Sequence, residues 1–355
     1  MFSSRSRLSR NGKHVSETFK SAILTGTLES SENSSSSSTV HRSEGKPVVI
    51  VGRHDIYSVA FLGDRKHIVS GGEEGNIRLW RRLDGREVGT PMNAKSEVNN
   101  IAVLRGEKWI VSGTYSGELA VWDAQSQKKV TEWKGHSKWV YAVDISPDEG
   151  RIATGSGDET ACVWSFSQNS LTPQRLLGPL EHNASVIVAK FSPDGSLIST
   201  ATWRYDSIRV YKSQNGLLLI DVPIRVAGGR NQSLVWVSDS KHLFALSLDG
   251  KINYLDVSTG STLFSWPIHP DGSARCIALA SDGTFIAASA GSSVSFWDTT
   301  SHKQIGSLVK HTDHVMSMAV SENYDLVLGG RHTITLWNIY NVLPLSSHKN
   351  VSALV

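Results

Sequence analysis

The groups from which nucleophilic catalysis is built occur together near the middle of this chain. They are the imidazole of His136, the hydroxyl of Thr154 and the carboxylate of Asp158, followed by the indole of Trp164. A hydroxyl becomes a nucleophile when an adjacent imidazole takes its proton and a carboxylate orients that imidazole. The context argues against that use. Thr154 falls inside RIATGS, a run of strand type, with no elbow to lift its oxygen clear of the backbone. Other chemistry has no better support. There is no P-loop, dinucleotide fingerprint, zinc-type cysteine pair or HExxH motif. The 13 histidines show no metal-ligand spacing. SGDETACVW is only superficially like the S-x-D-x-G-x-T-W box of sialidases. The expectation is a protein with no catalytic residues, no metal and no cofactor.

The elements that must carry these residues repeat. An aromatic residue recurs at Trp80, Trp122, Trp164, Tyr211, Trp297 and Trp337, with gaps of 42, 42, 47, 86 and 40. Leu255, in NYLDVSTG, divides the 86 into 44 and 42. A unit of this length is that of a four-stranded propeller blade. The third unit is the clearest: VYAVDIS, RIATGS and TACVWS are strand runs, separated by the turn-formers SPDEG and GSGDE. VTEW supplies a leading fourth strand. The fold class read from this is all-β, a seven-bladed β-propeller over residues 45–340. KPVVIVG (46–52) corresponds to KQIGSLV (303–309) and is expected to complete the last blade, with residues 47–51 pairing into the blade that contains 315–337. Such closure removes a free sheet edge. Residues 1–44 include LESSENSSSSSTV, which cannot bury apolar surface and is expected to be disordered. Residues 341–355 are read as a C-terminal tail.

Charge and cysteine content narrow the function classes. There are 36 basic and 33 acidic residues, a formal net charge of +3, which argues against a nucleic-acid polyanion as partner. Cys162 and Cys276 fall in different units, so a disulfide is not expected and a reducing compartment is. No apolar run approaches the length of a membrane span, and MFSSRSRLSR lacks the apolar core of a secretion signal. A cytoplasmic or nuclear protein without a membrane partner is expected.

Gly135-His136, Thr154, Asp158 and Trp164 stand at the diagnostic positions of the WD40-repeat family, which this chain resembles over about residues 45–340. The Ser-rich N-terminus and TATWRYDSIRVY are similar to the expanded WD40 proteins of mushroom-forming fungi. In that family these side chains form a Trp–Thr–His–Asp relay inside a blade, so the resemblance implies a structural role for His136, Thr154, Asp158 and Trp164. Elsewhere the pattern is eroded. The first unit offers His54, Ser70, Glu74 and Trp80, and the second has Ala94 and Ser116 at the His and Asp positions. The fourth has His182 and Tyr211, the fifth Asp249 without a histidine, and the seventh His311 and Trp337. The relay is expected to be complete only in the third.

Function is therefore expected in the loops of one face. Tyr115, Trp139, Tyr141, Trp203, Arg204 and Tyr205 fall on three consecutive units, either at the approach to an inner strand or in the turn between the second and third strands. Trp, Tyr and Arg dominate interface hot spots, whereas turns favour Gly, Asn, Asp and Ser. The alternative is that Trp203 or Tyr205 folds over its own blade as a lid. Trp109, Trp133, Trp236 and Trp266 lie within strand patterns and are expected to pack. The expected function is a non-enzymatic protein–protein interaction scaffold that presents these six residues to a peptide or domain. Two other readings are a propeller hydrolase or lyase, which needs acids or histidines in the central channel, and a nucleic-acid or phosphoinositide binder. The latter needs a basic stripe; Arg78, Arg81, Arg82 and Arg86 cluster, but Asp84 and Glu87 interrupt them.

Overall fold

Short alternating runs between turn residues can bury one face only by pairing and stacking. In the computed structural model, described for residues 46–104, 108–167, 173–203, 207–228, 232–268, 274–340 and 342–343, those runs form seven four-stranded antiparallel sheets arranged as the blades of a propeller. Among the described residues there is no helix, and so none long and apolar enough to cross a membrane. Residues 1–44 and most of 341–355 lie outside the described residues.

The innermost strands of blades 1 to 7 are Ile56–Phe61, Val98–Val103, Val140–Ile145, Val186–Phe191, Leu234–Trp236, Ala274–Leu279 and Val315–Val320. Blade 7 takes its outermost strand from Val48–Val51, in antiparallel register from Val48↔Leu336 to Val51↔Thr333. The expected closing strand is thus in place.

Blades stack through the apolar faces of successive sheets. Leu79 and Met92 of blade 1, for instance, share a cluster with Val98, Ile101 and Trp122 of blade 2. The approach is close where the second strand carries a glycine. A Cβ at Gly71 would lie 2.6 Å from Val98 Cγ1, one at Gly113 2.4 Å from Val140 Cγ1, and one at Gly155 2.8 Å from Val186 Cγ1. Any side chain there would force neighbouring blades apart. Gly113→Val should cost about 3 kcal/mol through overpacking. The check is a lower urea midpoint at an unchanged m-value, with Gly150→Ala, whose nearest foreign atom is 3.6 Å away, as the neutral control.

A ring of hydrogen bonds around the channel ties the inner strands together. The third residue of one inner strand accepts from the amide of the fourth residue of the next at three junctions: Ser317 to Val59, Ser58 to Ile101, and Asn100 to Val143. In blade 3 the third residue is Ala142, which cannot accept, and the latch moves two residues along to Asp144 and the Phe191 amide. Trp236 Nε1 donates to the Lys190 carbonyl, the Ile277 amide to the Gln232 carbonyl, and Cys276 Sγ to the Met316 carbonyl. The Gln232 side chain also reaches the Met318 amide and Ser317 Oγ. Each bond satisfies a buried polar group while spanning two blades. At the closing junction, two ion pairs are added: Arg82 with the fully buried Asp325 at 3.1 Å, and Arg65 with Glu322 at 2.8 Å.

Candidate functional site

His136 follows the outer strand of blade 2, Lys128–Lys134, yet its ring enters blade 3. Nε2 lies 2.7 Å from Thr154 Oγ1 and Nδ1 3.0 Å from Asp158 Oδ2. Trp164 Nε1 donates to Thr154 Oγ1 at 3.0 Å. Thr160 and the Ser137 amide also donate to Asp158. Burial raises the Asp158 carboxyl, but the hydrogen bonds from His136, Thr160 and Ser137 outweigh it and hold it well below its ordinary value. Thr154 is fully buried between indole and imidazole. No substrate can approach it, so this hydroxyl–imidazole–carboxylate set ties strands together.

The His136 amide donates to the Gly117 carbonyl, which precedes the third strand of blade 2. The same bond marks the equivalent position at five other junctions: Gly52 to His332, Ala94 to Gly75, His182 to Glu159, Ile268 to Gly250 and His311 to Ser292. This corrects the expectation for blade 1. Gly52 holds the histidine position, and His54 stands outside with its side chain 46% exposed, 3.8 Å from Glu73. In blade 4, His182 Nε2 is 2.9 Å from Thr200 Oγ1, Tyr211 OH is 3.4 Å from the same nitrogen, and Nδ1 donates to the Leu180 carbonyl. In blade 7, Leu328 replaces the hydroxyl residue, and His311 turns to Thr335 and Thr333. In blade 6, Ala288 stands there, and Trp297 Nε1 donates to Ser295 instead. Burial lowers both His182 and His311 to about 4. Among the described residues the full relay occurs only in blade 3.

On the face reached by the inner-strand approaches, four rings make one continuous chain of contacts. Tyr115 of blade 2 stacks on Trp139 at 4.5 Å, Trp139 meets Tyr141 edge-on at 5.7 Å, and Tyr141 meets Trp203 of blade 4 edge-on at 6.2 Å. Tyr115, Trp139 and Trp203 are 39%, 37% and 40% exposed. Tyr141 corrects its expectation: it is 6% exposed, a buried spacer that props two tryptophans rather than an outward-facing residue. Backbone bonds fix the chain, from the Tyr115 amide to Glu97, the Trp203 amide to Ser185 and the Gly157 amide to the Trp139 carbonyl. Trp203 leans on Tyr141 of the neighbouring blade. Arg204 and Tyr205 lie outside the described residues.

The central channel widens into a cavity of about 590 Å³ lined by inner strands from all seven blades. Its lining carboxylates are Asp144 and Glu149, and Asp144 accepts from the Phe191 amide. Burial lowers the nearby Lys190 ammonium, with Asp144 opposing that shift. Among the described residues, no cluster of His, Cys, Asp and Glu could hold a metal ion. Cys162 and Cys276 are free and buried, and burial pushes the Cys276 thiol up to about 12. The arginines of blade 1 do not form a basic stripe. Arg78 is clamped by Glu74 and Glu87, Arg81 and Arg86 face Asp84, and Arg82 is paired with Asp325.

Sequence comparison agrees with this geometry. Residues 45–81, 127–165 and 260–298 match the family described as WD domain, G-beta repeat. The chain is similar to small ribosomal subunit protein RACK1y of Oryza sativa subsp. japonica, with 32% identity over 136 residues, 37% of this chain and 38% of that one. It is similar to THO complex subunit 3 of Arabidopsis thaliana, with 24% identity over 217 residues, 60% of this chain and 67% of that one. WD repeat-containing protein 37 of Homo sapiens is 22% identical over 238 residues, 65% of this chain and 46% of that one. The matched region thus spans about two fifths of the rice protein's length and under half of the human one's.

Proposed function

Because the chain belongs to the WD40-repeat proteins and folds as a seven-bladed propeller, we propose that it is a non-catalytic interaction platform whose binding surface lies across blades 2 to 4. The observation that carries this reading is the ring chain Tyr115–Trp139–Tyr141–Trp203. Three of its members expose aromatic surface while being held in place from below, so little side-chain freedom is lost when a partner covers them. Arg204 and Tyr205, next to Trp203 in sequence, are further partner-binding residues in this proposal. The partner is a peptide or a folded domain in the cytoplasm or nucleus. Two of the relatives are named as components of larger assemblies, a ribosomal subunit and the THO complex, which is in keeping with such a role. The relay of His136, Thr154, Asp158 and Trp164 serves the platform by stiffening blade 3 under Trp139.

Replacing Trp139 and Trp203 together by alanine should weaken partner capture from native cell extract by about 100-fold, the scale expected for two central aromatic anchors. The melting temperature should fall only modestly, through the uncovering of Tyr141, since both tryptophans are already partly exposed. Undiminished capture by the folded double variant would sink the proposal.

A further inference from the structure

Blade 1 keeps three of the four relay positions and leaves the fourth open. Ser70 stands where Thr154 stands in blade 3, and Trp80 where Trp164 stands. The registers agree, Ile68↔Trp80 in one sheet and Ile152↔Trp164 in the other. Glu74 follows Ser70 at the interval that separates Asp158 from Thr154. Trp80 Nε1 donates to Ser70 Oγ at 2.8 Å, as Trp164 does to Thr154. The imidazole position is Gly52, and beside it is a cavity of about 250 Å³ lined by Gly52, Ser70, Glu74, Arg78 and Trp80, among others, with the exposed Arg53 and His54 at its edge. A Cβ at Gly52 would meet only the His332 carbonyl, at 3.5 Å, and the backbone there is not left-handed.

The polar groups around this space pair with one another. Glu74 is held by Arg78, which Glu87 holds from its other side. The Ser70 hydroxyl accepts from Trp80 and has no imidazole to which it can donate. Of the charged lining residues, Arg53 and Arg78 stand against Asp55, Glu74 and Glu87, two positive against three negative, which disfavours an anion. Blade 2 also lacks the histidine, but there Ala94 is packed among Met92, Val98 and Trp122.

We propose that the blade 1 cavity binds an imidazole ring from solution, either the free heterocycle or the side chain of a histidine in a docking peptide. One ring nitrogen accepts from the Ser70 hydroxyl, the ring N–H donates to Glu74, and the ring edge rests on Trp80, as His136 does in blade 3. The binding face of blades 2 to 4 plays no part in this site.

The test is an NMR titration of the full chain with imidazole and, separately, with an N- and C-terminally capped histidine, read at the indole N–H signals of Trp80 and Trp122. A saturable shift of Trp80 in the millimolar range, without one at Trp122, is expected for at least one probe. Tighter binding of the capped histidine identifies a peptide as the source; tighter binding of imidazole identifies the free heterocycle. Gly52→His, which supplies the ring covalently, should raise the melting temperature and abolish the shift. A linear response, a shift shared equally by Trp122, or binding that persists in folded Gly52→His overturns the proposal. If Gly52→His does not fold, Ser70→Ala takes its place, and an unchanged affinity in that variant overturns the proposal equally.

Discussion

Lowering the pH from about 7 to about 4 should remove on the order of 6 kcal/mol of stability, with His182 and His311 as the main source. Both rings are buried, and burial lowers each from 6.5 to about 4 in the folded chain. A histidine whose folded value lies below its unfolded one takes up its proton preferentially on unfolding. Its contribution is therefore complete above pH 6.5 and is lost as the pH falls from there through about 4. Each ring accounts for about 3 kcal/mol on that scale. The sum is comparable with the whole stability of an ordinary domain, about 5–15 kcal/mol. Asp158 acts in a lower window, since its depressed carboxyl stabilises the fold above the ordinary carboxylate range and is lost only as the pH drops below it. Urea midpoints measured across this pH range check the argument. The His182→Gln, His311→Gln double variant should start lower near neutrality but show a much flatter acid slope. A slope parallel to that of the parent would refute the assignment.

Arg82→Ala should cost about 3–5 kcal/mol, the range for a buried charge left without its counter-ion. Asp325 is fully buried, and Arg82 lies 3.1 Å from its Oδ2, reaching from blade 1 into blade 7. Asn338 Nδ2 also donates to Oδ1, but a neutral amide supplies no counter-charge. The loss is specific to charge, so Arg82→Ala combined with Asp325→Asn should recover part of it. Hydrogen exchange should accelerate first in Val48–Val51 and Thr333–Asn338, the strands of the closing sheet. A double variant no more stable than Arg82→Ala would argue against the pair as the cause.

The propeller was legible because its period is set by strand length and turn chemistry, which every unit repeats even where side chains have drifted. The closing strand was legible for the same reason, as VVIV matches the outer strands of the other blades. The histidine positions were harder. His54 is the nearest histidine to the right place, but the position is fixed by a backbone hydrogen bond to the residue before the third strand, and that bond selects Gly52. Sequence proximity carries no information about that amide. Tyr141 misled for a related reason. It is the second residue of the inner strand, two after the exposed Trp139, and its burial depends on Trp203 and Ile187 arriving from blade 4. The latches around the channel were invisible, since Ser58, Asn100 and Ser317 are ordinary small polar residues until the next blade supplies an amide.

Those latches bear on how the ring is assembled. The bonds from Ser58, Asn100 and Asp144 join blades that are consecutive in the chain, so they can form as each new sheet docks on the last. The equivalent bond from Ser317 to Val59 spans 258 residues, and the Gln232 contacts also await blade 7. Loop closure over such a distance is entropically costly and gains nothing until it is complete. Before that closure, the sheet faces of blades 1 and 7 that meet in the folded ring are uncovered. The strand pairing, the latch and the ion pairs of that junction all depend on the same meeting of blade 7 with Val48–Val51 and blade 1.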